Sequence, residues 1–147
     1  MAILGKNIQR VGIATKSLCL FLIAIAHAQD TLSARLTMMP IDAVNRGLVT
    51  GSGSLSAVLD GNRLVLTGRF VGLQGPATVA RLHQSLDRGI RGAALYDLTV
   101  TGDVEGDVAG EIELTPEQTA LLLAGRLYVQ IHSVSAPDGN LWGWLLP

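Results

Sequence analysis

From Thr31 onward, apolar and polar residues alternate in short runs broken by Gly, Asp, Asn and Pro. That is the period of β-strands with one face turned to a core. The stretch TLSARLTM puts Leu32, Ala34, Leu36 and Met38 on one face and Ser33, Arg35 and Thr37 on the other. In GSLSAVLDGNRLVLTGRFVGL two such runs flank Asp60-Gly61, residue types that tolerate the positive φ of a tight turn. A hairpin with strands over 53–60 and 63–73 follows, and the same reading predicts strands over 77–84, 92–100, 104–114, 126–133 and 140–146. The pattern changes once, at LTPEQTALLLAGR. Thr115 can cap free N–H groups there, Pro116 suits the first turn, Gln118 completes a capping box and Gly125 can close the end, which predicts a short helix over 115–124.

Strands in series with one short helix predict an all-β domain, an antiparallel β-sandwich or a related barrel. The last strand departs from the ordinary pattern. In APDGNLWGWLLP, Trp142 and Trp144 share one face while Leu141 and Leu145 share the other, so neither face is polar.

Before that β-rich region the chain reads differently. Lys6, Arg10 and Lys16 precede an apolar run from Leu18 to Ala26 and an Ala-His-Ala end, the pattern of a secretory signal cleaved after Ala28. The run is too short to span a bilayer, and Cys19 lacks the small preceding residue of a lipid-anchor site. The expected mature chain, residues 29–147, is therefore secreted or periplasmic, with no transmembrane segment. It loses the only cysteine, His27 and both lysines, leaving eight arginines against twelve carboxylates, 8 − 12 = −4. That balance disfavours nucleic acid as a partner, and a chain without thiols must be held by its core.

Candidate chemistry is sparse. TGDVEGDVAGEIEL spaces Gly102, Gly106 and Gly110 four apart, on one strand face with Val104, Val108 and Ile112, and puts Asp103, Glu105, Asp107, Glu111 and Glu113 on the other. Calcium wants ligands converging from a tight loop, so this acidic ladder reads as a solvated face. Ser52 and Ser54 in GSGSLS do not form a Gly-x-Ser-x-Gly elbow, and no strand, Gly-rich loop and helix follow one another as a nucleotide site requires. His83 and His132 lie near the ends of apolar strands; two histidines without a thiolate are a thin ligand supply, so a copper or zinc site centred on them stands as the alternative reading.

Taken in order, three stretches resemble the CHRD domain, the module named after chordin and found in exported bacterial proteins. They are LSARLTMMPIDAVNRGLVTGSG, GLQGPATVARLHQSLDRGIRGAALYDL and LTPEQTALLLAGRLYVQIHSVSAPDGNLWGWL. The last carries a Thr-x-x-Gln helix, a Tyr-Val-x-x-His strand through Tyr128 and His132, and a Pro-x-Gly turn at Pro137 and Gly139. The resemblance implies an immunoglobulin-like or superoxide-dismutase-like β-sandwich, no enzymatic activity and no cofactor. Two positions depart from the family pattern. Arg81 and His83 stand where the family usually has His-x-His, and a guanidinium on that face repels a cation. Alignment on Gly139 and Gly143 turns Leu141, Gly143 and Leu145 to the core and places Trp142 and Trp144 where outward polar residues are usual. The tryptophans then form a flat apolar strip about 7 Å long by strand rise. This predicts a non-enzymatic interaction or structural module that binds a protein or other envelope partner through that strip, with a second copy of the chain among the candidate partners.

Overall fold

The computed structural model describes residues 29–147; the expected export signal, residues 1–28, lies outside the described residues. Each alternating run becomes a strand: β1 (Asp30–Met38), β2 (Ser52–Asp60), β3 (Arg63–Val71), β4 (Ala77–Gln84), β5 (Ala94–Val100), β6 (Gly106–Glu113), β7 (Leu127–Ser133) and β8 (Leu141–Trp144). One helix, α1 (Pro116–Leu123), separates β6 from β7. Its capping box forms as the residue types require. The Thr115 hydroxyl accepts the Gln118 N–H at 3.2 Å, and the Gln118 side chain accepts the Thr115 N–H at 3.0 Å. Among the described residues no helix is long and apolar enough to cross a membrane.

The strands close into an antiparallel barrel in the order β1-β2-β3-β6-β5-β4-β7-β8, with β8 returning to β1. This overturns the expected sandwich, although the all-β class holds. Two corner strands are the reason. β1 pairs with β2 through Asp30–Leu36 and then with β8 through Thr37 and Met38. β5 pairs with β4 from Ala94 to Leu98 and with β6 through Thr99 and Val100. Each strand thus belongs to both walls, which joins their edges and removes the unpaired row of N–H and C=O groups that a sandwich leaves. Alternation decides which side chains point inward; it carries no information on whether distant edges meet.

The interior is filled by side chains. Leu32, Leu36, Leu64, Leu66, Phe70, Leu82, Ile131 and Leu141 are fully buried, and Leu122 of α1 joins them. Burying each such group contributes about 1.5–3 kcal/mol against leaving it in water. On β8, Leu141 and Leu145 enter this core, and Gly143 lets β8 lie close to β1, since a Cβ there would press on the Arg35 carbonyl and the Leu36 side chain.

Two local expectations shift. Asp60 ends β2 opposite Arg63, so the loop is Gly61-Asn62, as the expected bounds 53–60 and 63–73 have it; of the Asp60-Gly61 signal only Gly61 lies in the loop. Gly61, with φ +62°, takes the first loop position, where the two-residue II′ turn wants glycine. The acidic run also enters its strand later: β6 starts at Gly106, and 101–105 form a loop that leaves Val104 exposed instead of on the inner face. Thr101 closes that loop, donating its N–H to the Asp107 carbonyl and accepting the Asp107 N–H on its hydroxyl.

Candidate functional site

The outward side chains of β4, β7 and β8 stand in two rows set by register. His83, Tyr128 and Trp144 lie side by side, and next to them Arg81, Gln130 and Trp142. An outward barrel face is normally wet. Here Tyr128 is fully buried, Gln130 is 3% exposed and His83 8% exposed. The cover comes from two loops, 85–93 between β4 and β5 and 134–140 between β7 and β8.

The 85–93 loop is strapped to the wall from beneath. The Gly92 N–H donates to the Tyr128 hydroxyl at 3.0 Å, and His83 Nδ1 lies 3.0 Å from the Gly92 carbonyl. A carbonyl only accepts, so His83 carries its proton on Nδ1. Its Nε2 is then a buried lone pair without a partner. Arg91 Nη1 reaches the Asp138 carbonyl at 2.9 Å and ties the strap to the second loop. That loop is held from below by His132, whose Nδ1 lies 2.8 Å from the Pro137 carbonyl, and by the Gln130 amide, which donates to the Asp138 carbonyl at 3.1 Å and to His132 Nε2 at 3.2 Å. Gly139, with φ +132°, is required beside it, because a side chain there would strike the Gln130 amide.

The aromatic rings form one packed group. His83 stacks on Tyr128 at 4.9 Å between centroids and 20° between planes; Tyr128 meets Trp144 at 4.5 Å and 39° and Trp142 edge-on at 5.9 Å and 85°. Such pairs each add about 0.5–1.5 kcal/mol beyond area burial. Both tryptophans are half-buried and point outward. Their rings are 62° apart at 6.0 Å, which replaces the expected flat strip with an edge-to-face pair. A planar ligand can therefore stack on one ring or the other, not across both. Trp142 also packs on Met39, Val49 and Ala136, a small second core beneath the loops.

Electrostatics follow from burial. Desolvation pushes His83 below its ordinary pKa of 6.5; the bond to the Gly92 carbonyl opposes this, while the charges of His132, Arg81 and Arg91 add to it. Arg81 is paired with Asp97 at 2.7 Å. The two histidines do not make a metal centre between them. Three of their four ring nitrogens are taken by Gly92, Pro137 and Gln130, and among the described residues no group of three or more His, Cys, Asp or Glu side chains converges. The donor set gives the copper or zinc reading no support. The acidic ladder is a solvated face: Asp107 pairs with Arg69 at 3.2 Å and Glu111 with Arg63 at 2.7 Å. Ser52 and Ser54 stand exposed on β2.

Sequence reasoning missed three residues that build this site. Gln130 is an amide inside the otherwise apolar LYVQIHS, a signal that a buried polar partner was needed. Asn140 is fully buried, accepting from the Ser133 hydroxyl at 3.0 Å and donating to the Thr50 carbonyl at 2.6 Å. Gly92 has no side chain because one would run into the Gln84 carbonyl.

Comparison with curated proteins and with solved structures finds no match. A family model does: the one described as CHRD domain matches residues 28–145. The match runs from just before β1 to the end of β8 and takes in strap, aromatic group and capped helix alike, so the chain belongs to the CHRD domain family.

Proposed function

We propose that this CHRD domain is an exported, non-catalytic module that binds a protein or other envelope partner through the Trp142 and Trp144 face. One observation carries the reading. The wall that loops roof over still leaves two tryptophans half open on top of a buried Tyr128, and tryptophan yields much of the energy of a protein interface when a partner desolvates it. The rigid group beneath favours recognition over chemistry, since Gln130, Tyr128 and both histidine Nδ1 atoms are committed to holding backbone.

The test substitutes both rings. Trp142→Ser with Trp144→Ser is expected to keep a β-rich spectrum, lower stability by about 1–3 kcal/mol for the lost aromatic pairs, and abolish capture of envelope proteins on the immobilised domain. Unchanged capture by a folded double variant removes the tryptophan face from the function. Export is checked separately by intact mass: secreted protein beginning at Gln29 supports it, and membrane-bound protein retaining residues 1–28 contradicts it.

A further inference from the structure

Strand direction sorts the loops into two ends. Loops 39–51, 72–76, 101–105 and 134–140 share one end, while Gly61-Asn62, the 85–93 strap and α1 start from the other. Of the ten large apolar side chains exposed among the described residues, seven sit at the first end: Ile41, Val44, Leu48, Val104 and Val134 on its loops, with Met38 and Val71 where β1 and β3 run into them. Val44 is 85% exposed and Val134 66%. Such a concentration of exposed apolar side chains marks a contact surface.

These loops are braced to one another. The Thr50 hydroxyl donates to the Gly72 carbonyl at 2.8 Å, the Leu73 N–H to the Val104 carbonyl at 3.0 Å, the Val134 N–H to the Pro76 carbonyl at 2.9 Å and the Asn140 amide to the Thr50 carbonyl at 2.6 Å. All four loops are thereby joined into one platform, which lowers the ordering cost of binding. A groove of about 360 Å³ opens between Val44 and Leu48 on one side and Ala136 and Pro137 on the other. That is the lower end of ligand-pocket sizes, suited to an anchoring side chain.

Charge selects the occupant. The four loops carry Asp42, Asp103, Glu105 and Asp138 against Arg46 alone, with Arg91 of the strap leaning in. The ion pairs among the described residues go instead to Asp97, Asp107 and Glu111, so none of the four rim carboxylates has an ion-pair partner among those residues. Backbone N–H groups of Asn45 and Val44 hold Asp42 below the usual carboxylate pKa.

We infer that this braced end of the barrel is a docking surface for a segment of a partner protein in which basic residues alternate with apolar ones. The inference rests on the domain being an interaction module, but not on the tryptophan face. The probe is a labelled peptide of alternating Lys and Leu, with Glu-Leu and Lys-Ser peptides as controls, titrated by fluorescence anisotropy. The Lys-Leu peptide is expected to bind, more weakly as salt rises, and Val44→Ser with Val134→Ser is expected to weaken it about tenfold while leaving the fold unchanged. Trp144→Ser alone should leave that affinity as it was, whereas Trp142 supports Ala136 of the groove and is kept. Absence of binding, equal binding of the Glu-Leu peptide, indifference to the valine substitutions, or loss only in Trp144→Ser each overturns the docking surface. So does a dimer in sedimentation that the valine substitutions dissolve, since a second copy then covers this end.

Discussion

On the β2-β3-β6 wall, Ser56, Thr67 and Ala109 stand side by side in register and face solvent, while in the β4-β7-β8 wall the corresponding outward positions hold Tyr128 and Gln130, fully or almost fully buried. Both walls come from the same alternation and both line the same core. What separates them is the connection that follows. β2 and β3 are joined by Gly61-Asn62, too short to cover anything, whereas β4 and β5 are joined by nine residues, 85–93, that fold back onto the wall they leave. Loop length, not strand pattern, decides which outer face becomes a second core. The roofed wall then carries the aromatic residues and the half-open tryptophans; the open wall carries hydroxyls and ion pairs.

The largest expected contrast comes from truncating one residue on each wall. Tyr128→Ala removes a fully buried ring together with the acceptor for the Gly92 N–H and the support under both tryptophans. It is expected to cost about 3–5 kcal/mol in urea unfolding, the range for a core aromatic. Thr67→Ala, on the exposed face of the open wall, should stay within about 0.5 kcal/mol. Similar costs at the two positions would erase the distinction between roofed and open walls.

A smaller effect separates the walls by pH. His83 is neutral under the strap, with an unpartnered Nε2 and a pKa held below 6.5 by burial. The groups facing it from the packed elements are Arg81 on its own strand, His132 and the Tyr128 ring on β7, and Arg91 on the strap; Asp97, the nearby carboxylate on β5, is taken by Arg81. Between its folded pKa and 6.5 the unfolded chain binds the extra proton and the folded chain does not. The His83 contribution to stability is therefore whole above 6.5 and declines as pH falls through that window, levelling below the folded pKa. Amide exchange should show the 85–93 strap loosening first, because the proton arrives beneath it. In His83→Phe the decline should flatten, and a wild-type curve without any decline below 6.5 would mean that His83 is not buried as described.

Some of this was legible in the chain and some was not. All eight strands and the helix followed from a period of two and an explicit Thr115–Gln118 cap, because those signals are local. Closure was not legible, since it depends on Thr37 and Met38 meeting Trp142 and Leu141 from the far end of the chain. The outward aim of the tryptophans came from the family pattern aligned on Gly139 and Gly143, because alternation left both faces of the last strand apolar; their tilt and half-burial depend on Tyr128 and Met39, which neither signal brings near. The roof was hidden most completely: residues 85–91 were only the gap between the expected strands 77–84 and 92–100, and the Gly92 contacts with His83 and Tyr128 are what turn 85–93 into a strap.

The smallest expected effect belongs to the open wall. Arg63 Nη2 lies 2.7 Å from Glu111 Oε1, and Arg63 Nε reaches the same oxygen at 2.7 Å, so the geometry is that of a well-formed ion pair across β3 and β6. Yet the two side chains are 54% and 60% exposed, so water screens the attraction and holding two long side chains in place costs entropy. Cross-strand neighbours of opposite charge nonetheless beat mismatched ones. Arg63→Ala, Glu111→Ala and the double variant should give a coupling energy of about 0.5 kcal/mol or less, shrinking as salt is added. A coupling above about 1.5 kcal/mol, insensitive to salt, is the behaviour of a pair shielded from water. It would mean that something covers this wall too, and that the contrast between the two faces is weaker than loop length alone dictates.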